Sequence, residues 1–270
     1  MIASTFIRTI YLNVENLDKL GDFYQRIIGL QRIRSEKGQL YLGVDETVLL
    51  VLQQKEGWQS ASRSEGLYHF AIRVPTRQAL SLSLRHLLTT STHLQGASDH
   101  IVSEALYLAD PEGNGIEIYR DRPYKQWFQE GEMRMATLPL DIGHLMAEQM
   151  DNPVFEGLAS GTDIGHLHLH VADIARTEAF YAGLLGMKVV FNWNTATFLA
   201  YEGYHHHIGA NLWGGRQARP EQALGLDAYS MYVPRHVYQT LEQDGTLMDG
   251  ERGAMLYGPI GFPIYVSPMD

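Results

Sequence analysis

The side chains best suited to chemistry in this sequence are its histidines. Twelve are present, and six of them fall between Gly165 and Ile208. His166, His168 and His170 alternate in IGHLHLHVAD, which on a β-strand sends all three rings to one face. His205, His206 and His207 follow in GYHHHIGANLW; a strand over His206–Trp213 would set His205, His207 and Asn211 on a common side. Imidazoles converging from two adjacent strands can share a divalent metal, with bonds of about 2.0–2.1 Å. The expected ligands are therefore His166 and His207, with Asn211 in reserve. His205 and His206 are candidates for coordination or for acid–base work, since imidazole changes charge near neutral pH. The plainer alternative for each ring is a hydrogen-bonded histidine inside a polar cavity.

Composition narrows the partners. With 270 residues, 45% of them hydrophobic and 19% charged, the chain can bury a sizeable core as one large domain or two ordinary ones. No run of about 18 apolar residues exists, so no membrane span is expected. A net charge of -10 without a Lys/Arg cluster argues against nucleic acid and for a small-molecule partner. The absence of cysteine excludes disulfides and thiolate catalysis. It also fits a reducing compartment. The start, MIASTFIRTIYLNV, has no basic segment, apolar stretch or cleavage site, so a cytoplasmic protein is expected.

The elements that must position these residues repeat along the chain. VENLDKLGDFYQRIIGLQRI at 14–33 and VADIARTEAFYAGLLGMKVV at 171–190 align without a gap, matching Val14/Val171, Phe23/Phe180, Tyr24/Tyr181 and Gly29/Gly186. Each copy reads as strand, helix and short strands. The first strands lie over Phe6–Val14 and Ile164–Val171, with Asn16 and Asp173 as helix N-caps and Gly29 and Gly186 as left-handed C-caps. LYHFAIRVP at 67–75 resembles LDAYSMYVP at 226–234, and these second units close on DPEGNGIEIY and GPIGFPIYVS. The pattern predicts an α+β chain of four βαβββ units, two per domain. An N-terminal domain is expected over 1–125, a C-terminal one over 163–270, and a linker over 126–162 with a helix around Pro139–Met150. DPEGNG is a turn, and no phosphate-binding glycine pattern occurs. Trp193, Phe198 and Trp213 are read as core.

The Phe-Tyr helix followed by IG or LG, with DPEGNGIEIY, resembles the glyoxalase / bleomycin-resistance / extradiol-dioxygenase superfamily of vicinal-oxygen-chelate proteins. LYHFAIRVP, DHIVSEALYLADPEGNGIEIYRDRP, IGHLHLHVAD and GYHHHIGANLW together are similar to the Bacillus-type catechol 2,3-dioxygenase group. The resemblance implies paired half-barrel sheets whose first and last strands project ligands into a cavity. The first-strand positions are Thr9, His69, His166 and Ala228; Glu117 and Tyr265 stand on last strands. Extradiol members take iron from a histidine on unit three and a histidine and glutamate on unit four. Here those positions hold His166, Ala228 and Tyr265, so the triple histidine is expected to supply the missing coordination. The pair His69 and Glu117 is the weaker alternative. On that reading metal retention needs His166 and survives loss of His69. Tyr257 lies about two residues from a tyrosine that contacts catecholate in the family.

The resemblance implies a divalent metal, Fe(II) or Mn(II) ahead of Zn or Ni. It also implies an extradiol-dioxygenase-like or glyoxalase-like enzyme acting on a small vicinal-oxygen substrate such as a catechol, in aromatic-compound catabolism. The replaced ligands keep a second class in view, a non-catalytic protein that sequesters an aromatic or drug-like molecule. A homodimer is left open.

Overall fold

A computed structural model describes residues 6–61, 64–148 and 154–269. The four βαβββ units are all present. Their first strands are β1 (Ile7–Val14), β2 (Gly66–Arg73), β4 (Asp163–His170) and β6 (Gly225–Pro234). The last strands of units two, three and four are β3 (Gly115–Asp121), β5 (Ile208–Asn211) and β7 (Pro263–Met269). Each first strand is followed by a helix, at 17–28, 77–89, 174–184 and 235–243.

Local chemistry sets the first and third helices. The Asn16 and Asp173 side chains accept hydrogen bonds from the backbone N–H groups of Lys19 and Arg176, each satisfying one orphan donor of the first turn. Leu20, Tyr24 and Ile28 form the buried stripe of the first helix at four-residue spacing. Each fully buried aliphatic side chain of this kind contributes about 1.5–3 kcal/mol. Both helices widen into a π turn at the Phe-Tyr pair, and the first ends at Gly29 with φ 93°. That left-handed value suits glycine, which has no Cβ to clash.

The pairing of units departs from the one expected along the chain. One sheet runs 248–250, 253–257, β7, β6, β1, 47–54, 39–44, 31–36, and so joins unit four to unit one. The other runs 138–139, 96–99, 103–109, β3, β2, β4, β5, 196–200, 188–192, and joins unit two to unit three. The seams are antiparallel: β1 lies on β6 with Tyr11 opposite Ala228, and β2 lies on β4 with His69 opposite His168. Each sheet therefore draws on both halves of the sequence. One continuous apolar core, from Phe6 and Leu12 to Leu167 and Ile264, packs the two sheets and their helices together. The segment between the halves contributes a short helix, Ile142–Met146, capped by the Asp141 side chain. The end of the helix expected to reach Met150 lies outside the described residues.

Candidate metal centre

Three buried side chains meet at the seam of the second sheet. β2 brings His69, β3 brings Glu117 and β4 brings His166; their ligand atoms all lie within 4.8 Å of one another. Glu117 Oε2 is 3.0 Å from His69 Nε2 and 3.0 Å from His166 Nε2. The His166 contact has hydrogen-bond geometry, whereas among the described residues His69 Nε2, though buried, has no hydrogen-bond partner. Two ligand atoms about 2.1 Å from a shared ion and at right angles to each other would lie about 3.0 Å apart. The cluster thus fits a divalent metal, and the unpartnered His69 nitrogen is the observation that favours this over a closed hydrogen-bonded trio.

The protonation states suit ligation. Burial drives the His166 pKa down to about 4, so its ring is neutral at physiological pH. Burial works against the Glu117 charge, but the adjacent His166 and His69 outweigh it and hold the carboxyl well below its ordinary value of 4.5. The cluster lines a cavity of about 400 Å³. Its walls include Phe198, Trp193, Trp213, Tyr68, Tyr107 and Met135, so most of the lining is aromatic or apolar. Trp193 and Trp213 are 44% and 54% exposed, so only Phe198 of that trio is core, and it too faces the cavity.

The structure separates His166 from His207. Residues 202–207 do not extend the strand; Glu202 and Gly203 take positive φ values of 53° and 72°, and β5 begins only at Ile208. Period-two alternation therefore does not hold across the triple histidine, and its rings splay. His207 stacks on Tyr204 at 4.7 Å and meets the Phe6 ring at 4.6 Å and a 60° tilt, while its Nδ1 accepts from the Tyr201 backbone N–H. It belongs to the core between the sheets. His206 turns to the cavity, 4.1 Å between ring centroids from His166. His205 turns the other way, to Asp121. Asn211 is no free ligand, because its Nδ2 contacts His168 Nε2 at 3.1 Å and its Oδ1 accepts from His170 Nδ1 and Trp213 N. It clamps His168, whose ring lies against Gly209, where a Cβ would come within 2.9 Å. Tyr257 is 56% exposed on the first sheet and does not line the cavity.

Sequence reasoning passed over Tyr107 and Asp121. Tyr107 faces the cavity, its hydroxyl 2.7 Å from His100 Nε2, and burial raises its pKa well above 10.0. Strand parity could have found both, since Tyr107 pairs with Glu117 across the sheet and Asp121 lies four residues beyond Glu117. The positions equivalent to the cluster in the first sheet are closed. Ala228, Met255 and Tyr265 pack together with Tyr11, and Arg252 covers the Tyr11 ring at 4.4 Å while donating to the Tyr265 hydroxyl.

A two-histidine, one-carboxylate cluster at the seam of paired βαβββ units defines a metalloprotein-like member of the vicinal-oxygen-chelate class. The chain belongs to the Glyoxalase/Bleomycin resistance protein/Dioxygenase superfamily, whose family profile matches residues 6–118 and 163–263. It is 41% identical over 232 residues to a catechol-2,3-dioxygenase of Bacillus subtilis (strain 168), covering 83% of this chain and 81% of the relative. A candidate dioxygenase from Bacillus subtilis superposes with a TM-score of 0.66 at 15% identity, over 99% of this chain and 87% of the other. Glyoxalase I from Zea mays superposes with a TM-score of 0.59 at 13% identity, over 97% and 92%. These two structures share the fold.

Proposed function

We propose that this chain is an extradiol-type dioxygenase acting on a catechol or a close vicinal-diol analogue, with Fe(II), or Mn(II) in its place, held by His69, Glu117 and His166. The observation that carries the reading is the 3.0 Å approach of one buried carboxylate oxygen to two buried imidazole nitrogens at an aromatic-walled cavity. Two histidines and one carboxylate on a single face leave the remaining coordination positions open, the arrangement used by non-haem Fe(II) oxygenases. The likeness to the Bacillus subtilis catechol-2,3-dioxygenase supports a catechol as substrate. When bound, the metal supplies Lewis acidity toward two neighbouring oxygens and redox chemistry toward dioxygen.

The chain's own groups do the rest. Phe198, Trp193, Trp213 and Tyr68 supply aromatic surface at the cavity wall for a substrate ring. Tyr107, His168 and His206 bring polar atoms to the ring's oxygens, and burial keeps both imidazoles neutral. A ligand set drawn from units two and three favours this reading over a protein that only sequesters an aromatic molecule. A cytoplasmic setting is in keeping with the cysteine-free sequence.

Protein purified without chelator should carry close to one equivalent of transition metal, and less than about a tenth of an equivalent after reconstitution would sink the reading. His69→Ala, Glu117→Ala and His166→Ala should each abolish retention. Anaerobically loaded Fe(II) protein, given O₂ and catechol or alkylcatechols, should form a yellow ring-opened product. No product from any of them would remove ring cleavage.

A further inference from the structure

Behind the cavity, three side chains form a directed hydrogen-bond chain. Asp121 Oδ1 lies 2.8 Å from His205 Nε2, and His205 Nδ1 lies 2.8 Å from His206 Nδ1. Asp121 comes from the end of β3, two residues beyond Tyr119 and four beyond Glu117, so the strand's alternation puts it on the ligand's side of the sheet. His205 is fully buried, its ring against Tyr204 at 4.1 Å and Trp127 at 5.1 Å. The other carboxylate oxygen, Oδ2, accepts from the Tyr204 hydroxyl at 2.8 Å and from Arg73 Nη1 at 3.3 Å. The His206 ring lines the cavity, with Nδ1 taken by His205.

Proton positions follow from this network. An ionised carboxylate only accepts, so His205 Nε2 carries the hydrogen. With His205 in its neutral form, Nδ1 then has the lone pair. His206 Nδ1 must therefore donate, which leaves the lone pair of His206 on Nε2, the nitrogen free to face the cavity. We infer that Asp121 and His205 are positioning residues that fix the tautomer of His206, so that Nε2 meets a substrate hydroxyl as a hydrogen-bond acceptor. The chain deepens the dioxygenase reading and rests on it for the identity of the hydroxyl, but not for the tautomer.

The decisive variant is Asp121→Asn. Arg73 can only donate, so the amide carbonyl stays on its side and the amide NH₂ turns to His205. His205 Nε2 must then accept, its Nδ1 must donate, and His206 must accept at Nδ1 and carry its hydrogen on Nε2. The whole chain reverses. The measurement is ¹⁵N NMR of histidine-labelled full-length protein at pH 8, with and without added Zn(II), the His206 signals assigned with His206→Gln. Wild type should show His206 protonated on Nδ1, and Asp121→Asn should show it protonated on Nε2. Tyr204→Phe, which removes a donor from the other carboxylate oxygen, should keep the wild-type pattern. In catechol assays Asp121→Asn should raise KM roughly tenfold, since His206 Nε2 no longer accepts from the substrate hydroxyl, with a smaller change in kcat. A wild-type spectrum with His206 protonated on Nε2, or with His205 doubly protonated, overturns the inference even if Asp121→Asn does not fold. An unchanged His206 tautomer in a folded Asp121→Asn protein overturns it too. Neither result bears on ring cleavage, and loss of ring cleavage alone leaves the tautomer result standing.

Discussion

Glu117 sits between two imidazoles on the floor of an aromatic cavity, and its value to the site comes from what is not hydrogen-bonded to it. His166 satisfies one lobe of the carboxylate, while His69 approaches to the same 3.0 Å without the direction of a hydrogen bond. Adjacent on the same floor, His206 and His168 are buried imidazoles with one ring nitrogen each already engaged, Nδ1 by His205 and Nε2 by Asn211. His207 is the contrasting residue. It is fully buried, packed between the Tyr204 and Phe6 rings, and its role is to fill space between the sheets. His207→Ala should therefore leave metal content at the wild-type level while lowering unfolding free energy by about 2–4 kcal/mol, as large-to-small core changes do. Metal analysis beside denaturant unfolding separates the two effects. Loss of metal from a folded His207→Ala protein would return this ring to the ligand set.

At the scale of elements, β4 packs tightly against Tyr119 of β3 beside the cluster, and a charge network ties β3 to its outer neighbour and to a helix. A Cβ on Gly165 would stand 1.7 Å from the Tyr119 hydroxyl, so this step of β4 admits only glycine beside the candidate ligand His166. On the outer side, Glu104 of the strand Ser103–Ala109 takes hydrogen bonds from Arg77 of the helix 77–89, from Arg120 of β3 and from Arg122 just beyond it. Burial opposes the Glu104 charge, but these three guanidiniums win and hold its pKa below the ordinary 4.5. A carboxyl whose folded pKa is depressed contributes stability that is present above its unfolded value and lost as pH falls through the folded value. Thermal stability should thus decline on acidification below about pH 4.5, and Glu104→Gln should flatten that decline while costing about 1–3 kcal/mol at pH 7. Melting curves from pH 7 to pH 3 for both proteins give the comparison. A variant with the wild-type acid slope would show that the cluster does not bind the helix to the sheet.

At the scale of the molecule, the two sheets each join one unit from either half of the chain. The cluster accordingly takes His69 and Glu117 from the first half and His166 from the second. A fragment of residues 1–125 would expose β1 and β2 as unpaired strand edges, which favours association over a folded monomer. Residues 126–270 would expose β4 and β6 in the same way. Neither fragment alone should retain metal, whereas co-expressed fragments should form a one-to-one complex that does. Size-exclusion chromatography with metal analysis measures both properties. The intact chain should unfold in one transition because its core is continuous across the two sheets. Two well-separated transitions, or a metal-binding half, would show that the halves are the cooperative units.

What the sequence determined by itself was everything that rests on short-range periodicity. The four units, the Asn16 and Asp173 caps, the Gly29 and Gly186 turns and the inward face of β4 were all legible, because strand alternation and helix capping are set by residues a few positions apart. The family resemblance was equally legible in motifs such as DPEGNGIEIY and IGHLHLHVAD. His69, Glu117 and His166 each stood out as chemically competent, yet their grouping did not, since it depends on which unit lies beside which. Only the tertiary structure decided that. Pairing β2 with β4 costs the chain the closure of a loop of nearly a hundred residues, and nothing local announces it; loop-closure entropy grows only slowly with length, so near and distant partners compete on almost equal terms. The triple histidine misled for a related reason. Alternation predicts a common face only while the backbone stays extended, and the positive φ at Glu202 and Gly203 ends that regime just before the rings in question.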